Sequence, residues 1–271
     1  MKIEYVAVLL IVFAIGIFYI STGVQESRAK IALIVIDGFT PDYFNHTPQL
    51  DEIRDNSQSF IINTVEPSIT PAAHASIVSC QPPSVHNITD YQKSFSEKPF
   101  LFRWAEKNNI RVCTVYGKSY LNFFDNSYKH FYMSVASDAA LSQISKNFAT
   151  ECDIVIALLP DTDRFGHAYG PLSESMTREL EKIDTNAADL ADYMHSKGAK
   201  VIITSDHGMC PAPGGGGIHN VSEDCALKVP LILDKDLTVP EGIDKNNLSI
   251  TDILPIICAY YNLDCTDECH A

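Results

Sequence analysis

Three apolar runs in this chain each deliver an aspartate. Leu33-Ile34-Val35-Ile36 is followed by Asp37. The run Ile154-Val155-Ile156-Ala157-Leu158-Leu159 leads to Asp163 and, four residues on, His167. Val201-Ile202-Ile203-Thr204-Ser205 leads to Asp206-His207. Mixed carboxylates and imidazoles are a donor set that suits zinc. Asp161 is a rival carboxylate to Asp163 without its i, i+4 spacing to His167. Taken singly, residues 161–167 also fit a solvated acidic loop, and His219 a flexible one.

A hydroxyl completes the set. Thr70-Pro71 follows an apolar strand-like run and opens the helical stretch Ala72-Ala73-His74-Ala75-Ser76-Ile77-Val78. Threonine is a favourable N-cap and proline is pre-set for the first helical position. The Thr70 hydroxyl would then sit where unpaired backbone N–H groups and the helix dipole favour an anion. Alone it is a poor nucleophile, but metal coordination activates it. By itself Thr70-Pro71 is also an ordinary helix start. Ser68 is a weaker competitor, lying too far before the helix, and His74, one turn inside, reads as a packed helix histidine.

The elements that must position these groups follow from periodicity. Short β-branched runs between helical stretches read as buried parallel strands, near 31–36, 59–65, 110–116, 153–159, 200–204 and 229–233. Helices are expected near 47–55, 71–80, 98–108, 136–148, 173–196 and 250–261, the fifth capped by Ser173 and followed by Gly198. Such alternation predicts an α/β fold, a mostly parallel central sheet with helices on both faces. In these sheets ligands bind outside the carboxyl ends of the strands, so three carboxylates and two histidines converge on one edge.

At 271 residues with 46% apolar content, the chain suffices for one sizeable domain over 31–271. Its net charge of −14 argues against a nucleic-acid-binding surface, though not against a small anionic substrate beside bound cations. Residues Tyr5 to Ile20 form an uncharged run, short for a membrane span and long for a signal-peptide core. We expect residues 1–22 to be a signal anchor, or a cleaved signal peptide, joined by a linker over 23–30 to an extracytoplasmic domain. Eight cysteines permit disulfides of unassigned pairing, and the sequons at Asn45, Asn87, Asn220 and Asn247 fit a secreted glycoprotein.

Taken together, several motifs resemble the alkaline phosphatase superfamily, and most closely its nucleotide pyrophosphatase/phosphodiesterase, or type I phosphodiesterase, family. They are Asp37-Gly38-Phe39-Thr40-Pro41-Asp42-Tyr43, Thr47-Pro48-Gln49-Leu50, Thr70-Pro71-Ala72-Ala73-His74-Ala75-Ser76-Ile77-Val78, Asp163-x-x-Gly166-His167-x-x-Gly170-Pro171, Ser205-Asp206-His207-Gly208-Met209, Gly217-Ile218-His219 and Ile250-Thr251-Asp252-Ile253-Leu254-Pro255. The likeness spans roughly residues 30 to 263. It implies two divalent metal ions of the zinc type, one held by Asp37, Asp206 and His207 with Thr70 alongside, the other by Asp163, His167 and His219. It further implies hydrolysis of a small phosphodiester or nucleotide-like substrate through a covalent phospho-threonine.

Some features depart from the family pattern. An asparagine that contacts a phosphate oxygen is expected after His86-Asn87-Ile88-Thr89, where this chain has Asp90-Tyr91. Asp90 beside a phosphate would be unfavourable. Lys118, the one obvious extra cation for a phosphomonoester, reads by default as a surface lysine. Of Tyr116, Tyr120, Phe123 and Phe124, at least half should be core, the remainder free to stack on a substrate. Cys80-Gln81-Pro82-Pro83-Ser84 lacks the arginine of a sulfatase motif. A phosphomonoesterase and an inactive, membrane-anchored binding protein of the same fold stay open as alternatives.

Overall fold

A computed structural model describes residues 30–263 together with Cys265 and Cys269; the expected anchor, and the expected linker up to its last residue Lys30, lie outside the described residues. Among the described residues no helix is long and apolar enough to cross a membrane.

Seven strands form one sheet in the order β2-β9-β6-β1-β5-β3-β4. They are β1 (Lys30–Ile36), β2 (Gln58–Asn63), β3 (Val112–Tyr116), β4 (Lys129–Tyr132), β5 (Ile154–Leu159), β6 (Ala199–Thr204) and β9 (Lys228–Leu233). Only β9 runs against the others, pairing antiparallel with both β2 and β6. A two-residue ribbon, β7 (Cys210–Pro211) with β8 (Gly217–Ile218), stands apart. Strand β4, too short and polar to show in the apolar pattern, was not expected. Nor was the β7–β8 ribbon; the other six strands follow the sequence reading.

The residues of β1 alternate between the two faces. Ile31, Leu33 and Val35 enter one apolar cluster, Ala32, Ile34 and Ile36 the other. On the first face lie α2 (Thr70–Ser79), α4 (Phe100–Lys107) and α9 (Ile253–Tyr260), with the single turn α3 (Pro83–His86) at the end of α2. On the second lie α5 (Asp138–Phe148) and the long α7 (Glu174–Ser196). Helices α1 (Pro48–Asp55), α6 (Asp161–Tyr169) and α8 (Asp224–Leu227) complete the set. A strand with both faces covered must be apolar throughout, which is why β1 and β5 read as unbroken hydrophobic runs.

Long-range polar contacts fix the helices on this frame. Thr47 gives α1 no side-chain cap; instead the buried Asp184 carboxylate, reaching from α7, accepts from the Gln49 N–H at 3.0 Å and the Leu50 N–H at 2.8 Å. The Ser173 hydroxyl caps α7 as expected, accepting from Met176 N–H at 3.1 Å, and Gly198 follows at φ +75°. We expect Asp184→Ala to leave two helix-end donors unpaired and cost about 1–3 kcal/mol, read as a lowered urea midpoint at unchanged slope.

Candidate active site and metal centre

The register of the central strands sets the site. Ile36 pairs with Leu159 and Val35 with Thr204, so β1, β5 and β6 end at one level. Asp37 is the next residue after β1, Asp206 follows β6, and Asp163 lies in the first turn of α6, directly after β5. Gly38, at φ +74°, makes the convergence possible. A Cβ there would stand 3.1 Å from the Asp163 Cα, and its N–H donates to Asp206 Oδ1 at 3.1 Å. All three carboxylates are buried.

The histidines close around them. His207 Nε2 lies 3.3 Å from Thr70 Oγ1, 3.4 Å from Asp37 Oδ1 and 3.5 Å from Asp206 Oδ2. His167 Nε2 and His219 Nε2 lie 3.2 and 3.5 Å from Asp163 Oδ1. The His207 and His219 rings stack with centroids 3.8 Å apart. Every residue the sequence reading nominated is therefore in one place. Asp163, His167 and His219 offer ligand atoms within 4.8 Å of one another, as do Asp37, Asp163 and His207, so Asp163 joins the two groups and Asp206 flanks the second.

Whether these residues suit metal ions is tested by their ring nitrogens and orphaned oxygens. Each histidine has Nδ1 against a backbone carbonyl: His207 on Gly208 at 3.0 Å, His167 on Gly217 at 2.9 Å, His219 on Ser68 at 2.8 Å. An Nδ1–H donating there leaves Nε2 as a lone pair aimed at the carboxylates. Asp37 Oδ1, Asp163 Oδ1 and Asp206 Oδ2, the oxygens those nitrogens face, are buried without a hydrogen-bond partner. Lone pairs facing lone pairs around three buried carboxylates call for cations. The donor set fits divalent metal ions.

The electrostatics agree. Burial, reinforced by the Asp206 charge, raises the Asp37 carboxyl well above the usual carboxylate range. Burial and the neighbouring His207 push His219 down to about 4, so it is a neutral imidazole at physiological pH. Burial would by itself lower the Lys118 ammonium, yet Asp37 and Asp163 overcome it and hold the group charged.

That lysine corrects the sequence reading. Lys118 is no surface residue: its Nζ lies 2.5 Å from Asp37 Oδ2 and 2.8 Å from Asp163 Oδ2, with the side chain only 15% exposed. The signal was present, since Lys118 follows the buried strand β3, which ends beside β5 at the same sheet edge. Thr70 is also one step from expectation. Ile69 is the N-cap and Thr70 the first helical residue, with Pro71 second. Its hydroxyl still lies at the helix start, facing His207.

The rival Asp161 has a different task. Its Oδ2 accepts from the Asp138 N–H at 3.0 Å while Asp138 Oδ1 accepts from the Asp161 N–H at 2.9 Å, so each carboxyl caps the other's helix. This clamp fixes α6, and residues 161–167 are helix rather than acidic loop. Ser68 acts through its carbonyl on His219 and its hydroxyl, which accepts from Asn220 N–H at 3.0 Å. His74 is a packed helix histidine, edge-on to Phe124. Tyr116, Phe123 and Phe124 are core. Tyr120 is not: it is only partly buried, and its ring meets that of Tyr91 at 4.9 Å. Asp90 turns into its own loop, accepting from Gln92 and Lys93 N–H groups.

The cysteines form four disulfides, Cys80–Cys269, Cys113–Cys152, Cys210–Cys225 and Cys258–Cys265. Cys210–Cys225 brackets the β7–β8 ribbon that delivers His219. Its 15-residue separation corresponds to about 3 kcal/mol of stabilisation by loop closure. We expect Cys210→Ser/Cys225→Ser to lower the chemical-denaturation midpoint accordingly and to reduce the zinc bound per chain after loading.

With this geometry in view, similarity to other proteins becomes decisive. The family model "Type I phosphodiesterase / nucleotide pyrophosphatase" matches residues 31–112 and 115–230. The chain belongs to this family. An uncharacterized pyrophosphatase/phosphodiesterase of Schizosaccharomyces pombe is 24% identical over 228 residues, 70% of this chain and 47% of that protein, so the chain spans about half its length. Human ectonucleotide pyrophosphatase/phosphodiesterase 5 superimposes with a TM-score of 0.72 at 14% identity, covering 87% of this chain and 96% of the other. The murine protein, in an inactive threonine-to-alanine form in complex with AMP, gives 0.69 at 14% identity over 88% and 96%. These structures share the fold expected from the sequence, and the family is one of metal-dependent hydrolases.

Proposed function

We propose that this protein hydrolyses phosphodiester or pyrophosphate bonds in small, nucleotide-like substrates, with Thr70 as nucleophile and two divalent cations, zinc by donor chemistry. Asp37, Asp206 and His207 would hold one cation beside Thr70, and Asp163, His167 and His219 the other. The observation carrying this reading is the set of unpartnered carboxylate oxygens facing three imidazole Nε2 atoms, one of which, on His207, meets the buried Thr70 hydroxyl. The inactive murine relative, altered from threonine to alanine and complexed with AMP, supports a threonine nucleophile and a nucleotide-like ligand.

Bound cations would supply Lewis-acid charge, favouring ionisation of the attacking hydroxyl and of the leaving oxygen. The chain's own residues do the rest. Thr70 Oγ1, fixed at the start of α2, forms the bond to phosphorus while the bond to the leaving oxygen breaks on the opposite side. The proton Thr70 releases is balanced by the one the leaving group takes up. Water then displaces the phosphoryl group from Thr70 and restores the hydroxyl. The N-terminus of the ten-residue α2 favours the negative phosphoryl oxygens throughout. The Nδ1–carbonyl bonds keep the three imidazoles from turning away. We also infer export from the cytosol, on the strength of the N-terminal apolar segment and four disulfides.

Thr70→Ala should lower aryl phosphate-ester hydrolysis by roughly 10³-fold or more while bound zinc, measured by elemental analysis, stays the same. Full activity in that variant would remove Thr70 from the mechanism. Asp206→Asn should lower zinc affinity about 10- to 100-fold together with the rate, and chelation should abolish turnover until zinc is restored. A variant with unaltered zinc binding would remove Asp206 from the ligand set.

A further inference from the structure

We propose that the two cation sites are unequal: Asp37, Asp206 and His207 hold a resident ion, Asp163, His167 and His219 an exchangeable one, and Lys118 sets the difference between them. This rests on the two-cation reading above and concerns how the same site is filled.

The first argument is charge. Carboxylates that ligate metal are ionised, so Asp37, Asp163 and Asp206, all buried, bring three negative charges. The Lys118 ammonium lies 2.5 Å from Asp37 Oδ2 and 2.8 Å from Asp163 Oδ2, and these two aspartates keep it charged. It offsets one of the three charges without taking a ligand position, because the oxygens of Asp37 and Asp163 that face the imidazoles are the Oδ1 atoms. One divalent ion balances the two charges that remain. A second ion leaves the centre doubly positive, and among buried groups an uncompensated charge is costly. An anion beside the site relieves that cost, so phosphate and the second ion should bind with positive coupling.

The second argument is the contrast between the two ligand sets. Asp37, Asp206 and His207 include two carboxylates, and all three side chains are 0% exposed. The other set has one carboxylate, Asp163, whose second oxygen is already on Lys118, and its His167 side chain is 45% exposed. The ion with less negative charge around it and a ligand open to water is the one that exchanges.

The test counts zinc per full chain by elemental analysis, after zinc loading and dialysis against zinc-free buffer. The wild type should keep about one ion, and about two when inorganic phosphate is present throughout. Lys118→Met removes the positive charge and should keep about two without phosphate, its weaker site tightened roughly tenfold or more in a calorimetric titration. His167→Ala should keep the resident ion, whereas Asp206→Asn should lose it. These two variants read the assignment even if Lys118→Met misfolds. A wild type that keeps no ion or two without phosphate, weaker zinc binding in a folded Lys118→Met, or loss of the retained ion from His167→Ala would each overturn the proposal. Weaker binding is the result expected if Lys118 only props the ligands in place. Failure of the two-cation reading shows separately, as a wild type that takes up no more than one zinc at saturation with phosphate, or as turnover that survives chelation.

Discussion

Three carboxylates held together where water is excluded are the constraint around which this molecule is organised. Two like charges about 5 Å apart repel by roughly 3 kcal/mol even at an effective dielectric of 20. Asp37, Asp163 and Asp206 accept that cost together, and the fold compels them to, because each leaves one of three adjacent strands that end at a common level. The compensation must be positive charge. Lys118 supplies part of it, and the unpartnered oxygens opposite three imidazole nitrogens mark where the remainder belongs.

The supporting structure is directed at orientation more than at strength. Backbone carbonyls of Gly208, Gly217 and Ser68 set the tautomers of the three histidines, and two of those carbonyls come from segments distant from the histidine they hold. The Asp138–Asp161 clamp joins the starts of α5 and α6 and so fixes the helix that bears Asp163 and His167. The Cys210–Cys225 bridge ties down the glycine-rich segment before His219. A site assembled from loops and a helix start needs such restraint, since a group that must be ordered on binding subtracts that entropy from affinity.

Here Asp90 and Tyr91 stand where the resemblance leads one to expect an asparagine, and the positive group beside Asp37 and Asp163 is Lys118, on the far side of β5. The Tyr91 ring lies edge to face against Tyr120, two residues along the chain from Lys118.

The residue order alone was enough to define the class of fold, the strand ends and the ligand candidates. Apolar runs with β-branched residues report burial on both faces, and the residues just past such runs must emerge at one sheet edge. That logic found Asp37, Asp163, Asp206, His207 and Thr70. It extended by resemblance to His219, and applied to β3 it would have reached Lys118 as well. Other features depend on contacts between segments far apart in the chain. The reversal of β9, the place of the short edge strand β4, the disulfide pairing, the clamp between Asp138 and Asp161 and the burial of Lys118 are of this kind. Periodicity records how much of a side chain is covered, but not by what, and only the assembled tertiary structure decides which charge meets which.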